Sequence, residues 1–184
     1  MIYKIIEEIG VLCEQHESVI VAIDGDAAAG KSTLAGQIAG YFGCDVIHMD
    51  DFFLPPPLRT DERMGEVGGN VHYERFNTEV ATPLLAQKAF YFKPFDCTIM
   101  DFGDKKTFKP SKLTIIEGAY SLHPTLAHIY NYKIFMQADP TVQMQRIHAR
   151  NGAEMAKKFE SIWIPMEKRY QNELRIKEMC DIVL

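Results

Sequence analysis

The chain holds 184 residues, with 20 Lys and Arg against 25 Asp and Glu and a formal net charge of −5. That length suits one domain over residues 1–184 with a sizeable core, while the acidic balance excludes a surface-wide basic field for nucleic acid. Cys13, Cys44, Cys97 and Cys180 form no C-x-x-C pair, which argues against a zinc site or thiol redox motif, and with no apolar run near the ~20 residues of a membrane span and no leader the expectation is a cytoplasmic protein without membrane partners.

Residues 2–15 place Ile2, Ile5, Ile6, Ile9 and Leu12 on one stripe, the pattern of an amphipathic helix. Residues 18–23 are a short β-rich apolar run, and residues 33–42 return to helical spacing. Between them Gly25, Gly30, Lys31 and Ser32 complete the spacing G-x-x-x-x-G-K-[ST], enclosing Asp26, Ala27, Ala28 and Ala29. Such a loop turns its backbone N–H groups inward around phosphates, sends Lys31 to the β- and γ-phosphates and offers the Ser32 hydroxyl to Mg²⁺. With Thr33 it opens a helix whose first N–H groups and positive dipole end favour an anion.

Residues 44–49 form a second apolar strand ending at Asp50 and Asp51. Pro55, Pro56 and Pro57 then exclude regular structure, and Gly65, Gly68 and Gly69 extend the irregular region to about residue 70. Residues 74–88 regain helical spacing, with Pro83 marking a start or a kink, and residues 90–108 read as a hairpin. Core strands follow at 113–116, running into Glu117, and at 132–136. Helices are expected at 140–150 and 153–178, and a closing strand at 180–184. Buried strands alternating with helices imply an α/β fold, a parallel sheet of about five strands covered on both faces. Asp50, Asp51 and Glu117 then share the C-terminal sheet edge with the loop, where ligands bind.

The loop, the run Met49-Asp50-Asp51-Phe52-Phe53, the strand end Ile115-Ile116-Glu117-Gly118, and Lys133-Ile134-Phe135 leading to Arg146 and Arg150 together resemble the uridine kinase and phosphoribulokinase group of P-loop kinases. The resemblance implies the P-loop NTPase fold with a small helical lid at about 146–165 and an acceptor-binding loop and hairpin at about 52–110. It also implies ATP and Mg²⁺ as cofactors and transfer of the γ-phosphate to a primary hydroxyl. Asp50 matches the position of the family's base. Alternation along a strand end would point Asp50 and Asp51 in opposite directions, leaving one of the two for the γ-phosphate and Asp51 as a substrate contact. Ser32, Glu117 and Asp50 are the candidate metal partners, with an ion pair to Lys31 the other role open to Glu117. Arg146 and Arg150, at i and i+4 on one helix face, match lid arginines that stabilise charge beside Lys31, and equally suit a solvated face.

On the acceptor side the family's sugar-binding Asp falls on Val71, and Phe95-Asp96-Cys97 lacks the family's nearby His. Phe53, Arg59, Arg63, His72 and Tyr73 are the candidate contacts. The resulting expectation is a kinase for the 5′-hydroxyl of a nucleoside such as uridine or cytidine. Two other readings stay open: a kinase for another hydroxyl metabolite of the pantothenate or nicotinamide riboside type, and a P-loop ATPase coupled to a partner. Homo-oligomerisation is left open. His48 reads as a core residue, His123 and His128 lack metal-ligand companions, and Trp163 is expected to pack the lid helices onto the sheet.

Overall fold

The computed structural model describes residues 2–184. Helix α1 (Ile2–Gln15) buries Ile5 and Ile9 and leads into β1 (Val19–Gly25), whose seven residues are all buried. Helix α2 (Lys31–Phe42) follows the loop and ends at Gly43, which is left-handed and donates its N–H to Ala39 O. After β2 (Asp45–His48) the chain makes a 3₁₀ turn, Met49–Phe52. Three short helices lie beyond it, α3 (Asp61–Gly65), α4 (Tyr73–Phe76) and α5 (Thr82–Leu85).

Four short strands come next. β3 (Phe90–Phe92) pairs with β6 (Lys106–Phe108), and β4 (Phe95–Asp96) with β5 (Asp101–Phe102), both antiparallel. The expected hairpin is therefore present as two nested pairings. Strands β7 (Leu113–Glu117) and β8 (Tyr132–Met136), helices α6 (Pro140–Lys158) and α7 (Ile164–Glu173) and strand β9 (Ile182–Val183) complete the chain.

The main sheet has the order β2-β7-β1-β8-β9, and every pairing in it is parallel. Because side chains alternate along a strand, β1 feeds two cores. Val19, Val21 and Ile23 pack with Ile5 and Ile9 of α1 and Leu34, Ala35 and Ile38 of α2. Ile20 and Ala22 join a larger cluster on the opposite face with Phe52, Phe76, Leu84, Phe135 and Tyr170. The register sets Ile23 opposite Glu117 and Gly25 opposite Met136, so the ends of β1, β7 and β8 meet at one edge.

Two prolines explain departures from the expected helices. Residues 74–88 do not form one helix: a π turn, Asn77–Ala81, separates α4 from α5, and Thr82 N–H reaches five residues back to Asn77 O, just before Pro83. A second π turn, Phe159–Trp163, precedes Pro165, with Ile164 N–H on Phe159 O. Proline lacks a donor and crowds the carbonyl four residues back, and a wider turn ahead of it relieves both problems. Gly152, at φ 79 and ψ 170, breaks α6, and α7 ends at Glu173 rather than near residue 178, the chain turning through left-handed Arg175.

Candidate active site

At Gly25 the chain leaves β1 with φ 140, and a Cβ there would lie 2.0 Å from Met136 O, so glycine alone allows β1 and β8 to approach this closely. Gly30, at φ 101, is the residue before α2, whose first amides face the loop. Lys31 curls back across the loop, its Nζ donating to Gly25 O at 3.0 Å and Asp26 O at 2.9 Å. Ala27 through Thr33 line a cleft of about 1390 Å³. Asp26, grouped by its position in the motif with the cofactor-binding residues, does not face that cleft. Its buried carboxylate meets Lys168 Nζ at 2.7 Å, Gln171 Nε2 at 3.0 Å and the Ala138 amide at 3.1 Å. Burial opposes its charge, but the Lys168 ammonium and these donors outweigh it and hold the pKa below the usual carboxylate range. Asp26 and Gly25 thus shape the loop from beneath.

The loop is also gripped from the helices that follow β8. Glu167 Oε2 on α7 accepts the Ala27 N–H at 2.9 Å, and Gln143 Nε2 on α6 donates to Ala27 O at 3.0 Å. Arg146 Nη1 reaches Ala28 O at 3.0 Å. Arg150 lines the same cleft and turns its Nε to Asn151.

Glu117 closes β7 with its side chain buried. Its Oε1 accepts the Ser32 hydroxyl at 3.0 Å and meets His48 Nδ1 at 2.5 Å. These two partners stand where Lys31 was the alternative. The bond to Glu117 pushes the His48 pKa up, and His48, far from being a core residue, is half exposed at the sheet edge.

Asp50 and Asp51 share the 3₁₀ turn but part company. Asp50 opens on the cleft beside Gly118, whose close approach to Met49 requires a residue without a side chain. Asp50 is nonetheless ringed by protein. That crowding is the largest influence on its carboxyl and pushes the pKa up, with Lys31 the leading opposing charge. Asp51 turns away and pairs with Lys106 Nζ at 2.8 Å outside the cleft. The turn, rather than strand alternation, separates the two side chains.

Of the other acceptor-side candidates, Phe53 and Arg59 line the cleft. Arg59 is held by its Nε on Leu54 O at 2.7 Å, with its guanidinium 5.9 Å from the Phe95 ring. Arg63, His72 and Tyr73 are not brought there. His72 caps α4 and meets Glu74, while Tyr73 stacks on His123 and bonds to Arg63 and Glu66. Both are spent on holding the loop around Arg63, which also donates to Gly69 O and Val71 O. Val71 is fully buried. Trp163 packs edge-on against Phe159 and lines the cleft rather than the sheet.

Sequence reasoning missed His48, Gln143, Glu167, Lys168 and Gln171. Their partners in the loop and on β7 lie 69 to 145 positions away, and no motif records that separation.

No family model matches the chain. In sequence it is 24% identical, over an alignment of 183 residues spanning 89% of this chain and 85% of the other, to a protein of Invertebrate iridescent virus 3 provisionally named a kinase. In structure it is similar to a protein described as a possible uridine kinase from Bacillus stearothermophilus, with TM-score 0.69 and 19% identity over 98% of this chain and 99% of that one. It is similar to a provisionally named fructose transport system kinase from Silicibacter sp. TM1040, with TM-score 0.71 and 20% identity over 95% and 97% of the two chains. YFH7 from Saccharomyces cerevisiae, circularly permuted and provisionally named a P-loop kinase, aligns with TM-score 0.64 and 13% identity over 100% and 98%. These likenesses are of fold: with a central parallel sheet flanked by helices, the chain has the fold of the P-loop kinases.

Proposed function

We propose that the chain is an ATP-dependent kinase that phosphorylates a hydroxyl group of a small metabolite. The observation that carries this reading is the convergence of Lys31, Ser32, Asp50, Glu117, Arg146 and Arg150 on one cleft, with a single carboxylate of the Asp50-Asp51 pair facing it. Phosphoryl transfer is chiefly positioning and charge neutralisation. The loop amides and Lys31 suit the phosphates, and Arg146 and Arg150, in the segment we take as a lid, suit the transferred group.

Mg²⁺ fits the donor set. Among the described residues no group of three or more His, Cys, Asp and Glu side chains could hold a metal alone. Mg²⁺ typically takes one or two protein oxygens and completes its shell with water and phosphate, and the Ser32 hydroxyl and Glu117 carboxylate, bonded to each other, are such oxygens. When bound, the ion would neutralise charge on the β- and γ-phosphates. Asp50 accepts the proton of the acceptor hydroxyl as that oxygen attacks the γ-phosphorus and the bond to the bridging oxygen of ADP breaks. A carboxyl with a raised pKa is better matched to this work than an ordinary one.

For the acceptor we propose a nucleoside-sized hydroxyl compound, with a nucleoside 5′-hydroxyl the first class to test. The cleft offers Phe53, Arg59, Asn70, Cys97, Met100 and Tyr120 beyond Asp50. The residue in the place of the family's sugar-binding Asp, Val71, lies in the core, so any sugar contact must come from these. The test is ADP release from Mg-ATP with and without a panel of free nucleosides and other hydroxyl metabolites. Acceleration by uridine or cytidine supports nucleoside phosphorylation, acceleration by another hydroxyl compound moves the acceptor, and acceptor-independent turnover alone overturns the kinase reading.

A further inference from the structure

Among the described residues, Glu167 is the one carboxylate that bonds directly to the phosphate-binding loop and lines the cleft without a place in the chemistry above. Its Oε2 accepts the Ala27 amide at 2.9 Å, an N–H of the very loop whose amides serve phosphate, and the side chain is buried on a helix packed against that loop. Resting on the nucleotide-binding reading, we propose that Glu167 couples nucleotide binding to proton uptake: a nucleoside di- or triphosphate enters the loop as the Glu167 carboxylate takes a proton from solvent.

The groups facing Glu167 decide the direction. Burial weighs most heavily against its charge. Lys31 on α2 is the chief group favouring the ionised form, and Asp24 and Asp26 at the end of β1 oppose it. Tyr120, just beyond β7, is close enough to feel the Glu167 charge, and Arg146 of α6 is engaged with Ala28 O. On α7 itself Lys168 is committed to Asp26 at 2.7 Å and gives Glu167 no ion pair. The balance leaves the Glu167 pKa pushed up to about 7. A phosphate group adds negative charge beside it and draws on Lys31, both of which favour the neutral acid. The protonated carboxyl still accepts the Ala27 N–H through its carbonyl oxygen and gains an O–H that can donate to a phosphate oxygen. Atoms balance: one carboxylate and one solvent proton give one carboxylic acid.

The experiment is calorimetric titration of the full chain with Mg-ADP, from about pH 6 to about pH 8.5, in buffers of differing ionisation enthalpy, for wild type and Glu167→Gln. Glutamine mimics the protonated acid, since its amide oxygen accepts and its nitrogen donates. The expected result is net proton uptake by wild type and an affinity that falls by up to about tenfold for each pH unit above about 7. In Glu167→Gln that uptake and slope are lost and binding at about pH 8 is at least as tight as wild type. The difference between the two proteins separates Glu167 from His48, which it leaves in place. Equal uptake and slope in both proteins, weaker binding by Glu167→Gln at high pH, or wild-type binding that is flat across the range overturns the coupling while leaving the nucleotide site standing. Absence of Mg-ADP binding by either protein overturns the nucleotide-binding reading itself, and the coupling with it.

Discussion

Asp50 and Asp51 are neighbours in the chain with opposite fates, one open to the cleft and the other paired with Lys106 outside it. Asp50→Asn is expected to lower phosphoryl transfer by about two to four orders of magnitude, the usual weight of a general base, while Mg-ATP affinity stays near wild type. Asp51→Asn breaks an ion pair whose lysine is half exposed; it should keep the rate near wild type and cost at most about 1 kcal/mol of stability. Steady-state kinetics with nucleotide binding on both variants checks the pair, and an Asp51→Asn protein as inactive as Asp50→Asn would reassign the base. In the sequence these two adjacent carboxylates were the candidates for a base, with the family resemblance favouring Asp50. The 3₁₀ turn that separates them could not be read from composition, because it follows from how Phe52 is pulled into the core between Phe76 and Phe92.

At the scale of elements, the loop between β1 and α2 is held less by the sheet that precedes it than by helices that arrive more than a hundred residues later. Lys168 and Gln171 of α7 fix Asp26, and Gln143 and Glu167 fix the two polar groups of Ala27. The glycine at the start of the loop is set by a different contact, the carbonyl of Met136 on β8. Gly25→Ala is therefore expected to be severe, on the order of 3 kcal/mol or more, since the new Cβ would collide with backbone in a conformation that L-residues rarely adopt. Thermal or urea unfolding measures it, and a loss under about 1 kcal/mol would show that β1 and β8 can separate. The expected strands at 113–116 and 132–136 reappear almost residue for residue because both are short apolar runs with one environment. The helices expected over 74–88 and 153–178 were broken or shortened, as the spacing of apolar residues records a face but not the π turns that Pro83 and Pro165 demand.

Across the whole molecule, buried carboxylates tie stability to pH. Burial raises the pKa of Asp24, and of Glu167 from 4.5 to about 7. A group raised on folding lends stability that is complete below its unfolded pKa and lost as pH rises through its folded one. For Glu167 the loss runs from about 4.5 to about 7, so Glu167→Gln should match wild type near pH 4.5 and become the more stable protein by at most about 3 kcal/mol near pH 8. Urea unfolding at the two pH values tests the sign, and a variant less stable at the higher pH would contradict it. The acidic net charge agrees with a phosphate site built locally, and among the described residues no helix is long and apolar enough to cross a membrane. By itself the sequence determined the loop, the parallel α/β order and the carboxylates at the sheet edge, because spacing within a few residues and apolar periodicity are local quantities. Only the tertiary structure decided that Asp50 and not Asp51 faces the cleft, that His72 and Tyr73 serve the loop around Arg63, and that His48 and Glu167 join the site. Those outcomes depend on which distant side chains meet once β2, β7 and α7 converge on β1, and a linear sequence does not record that convergence.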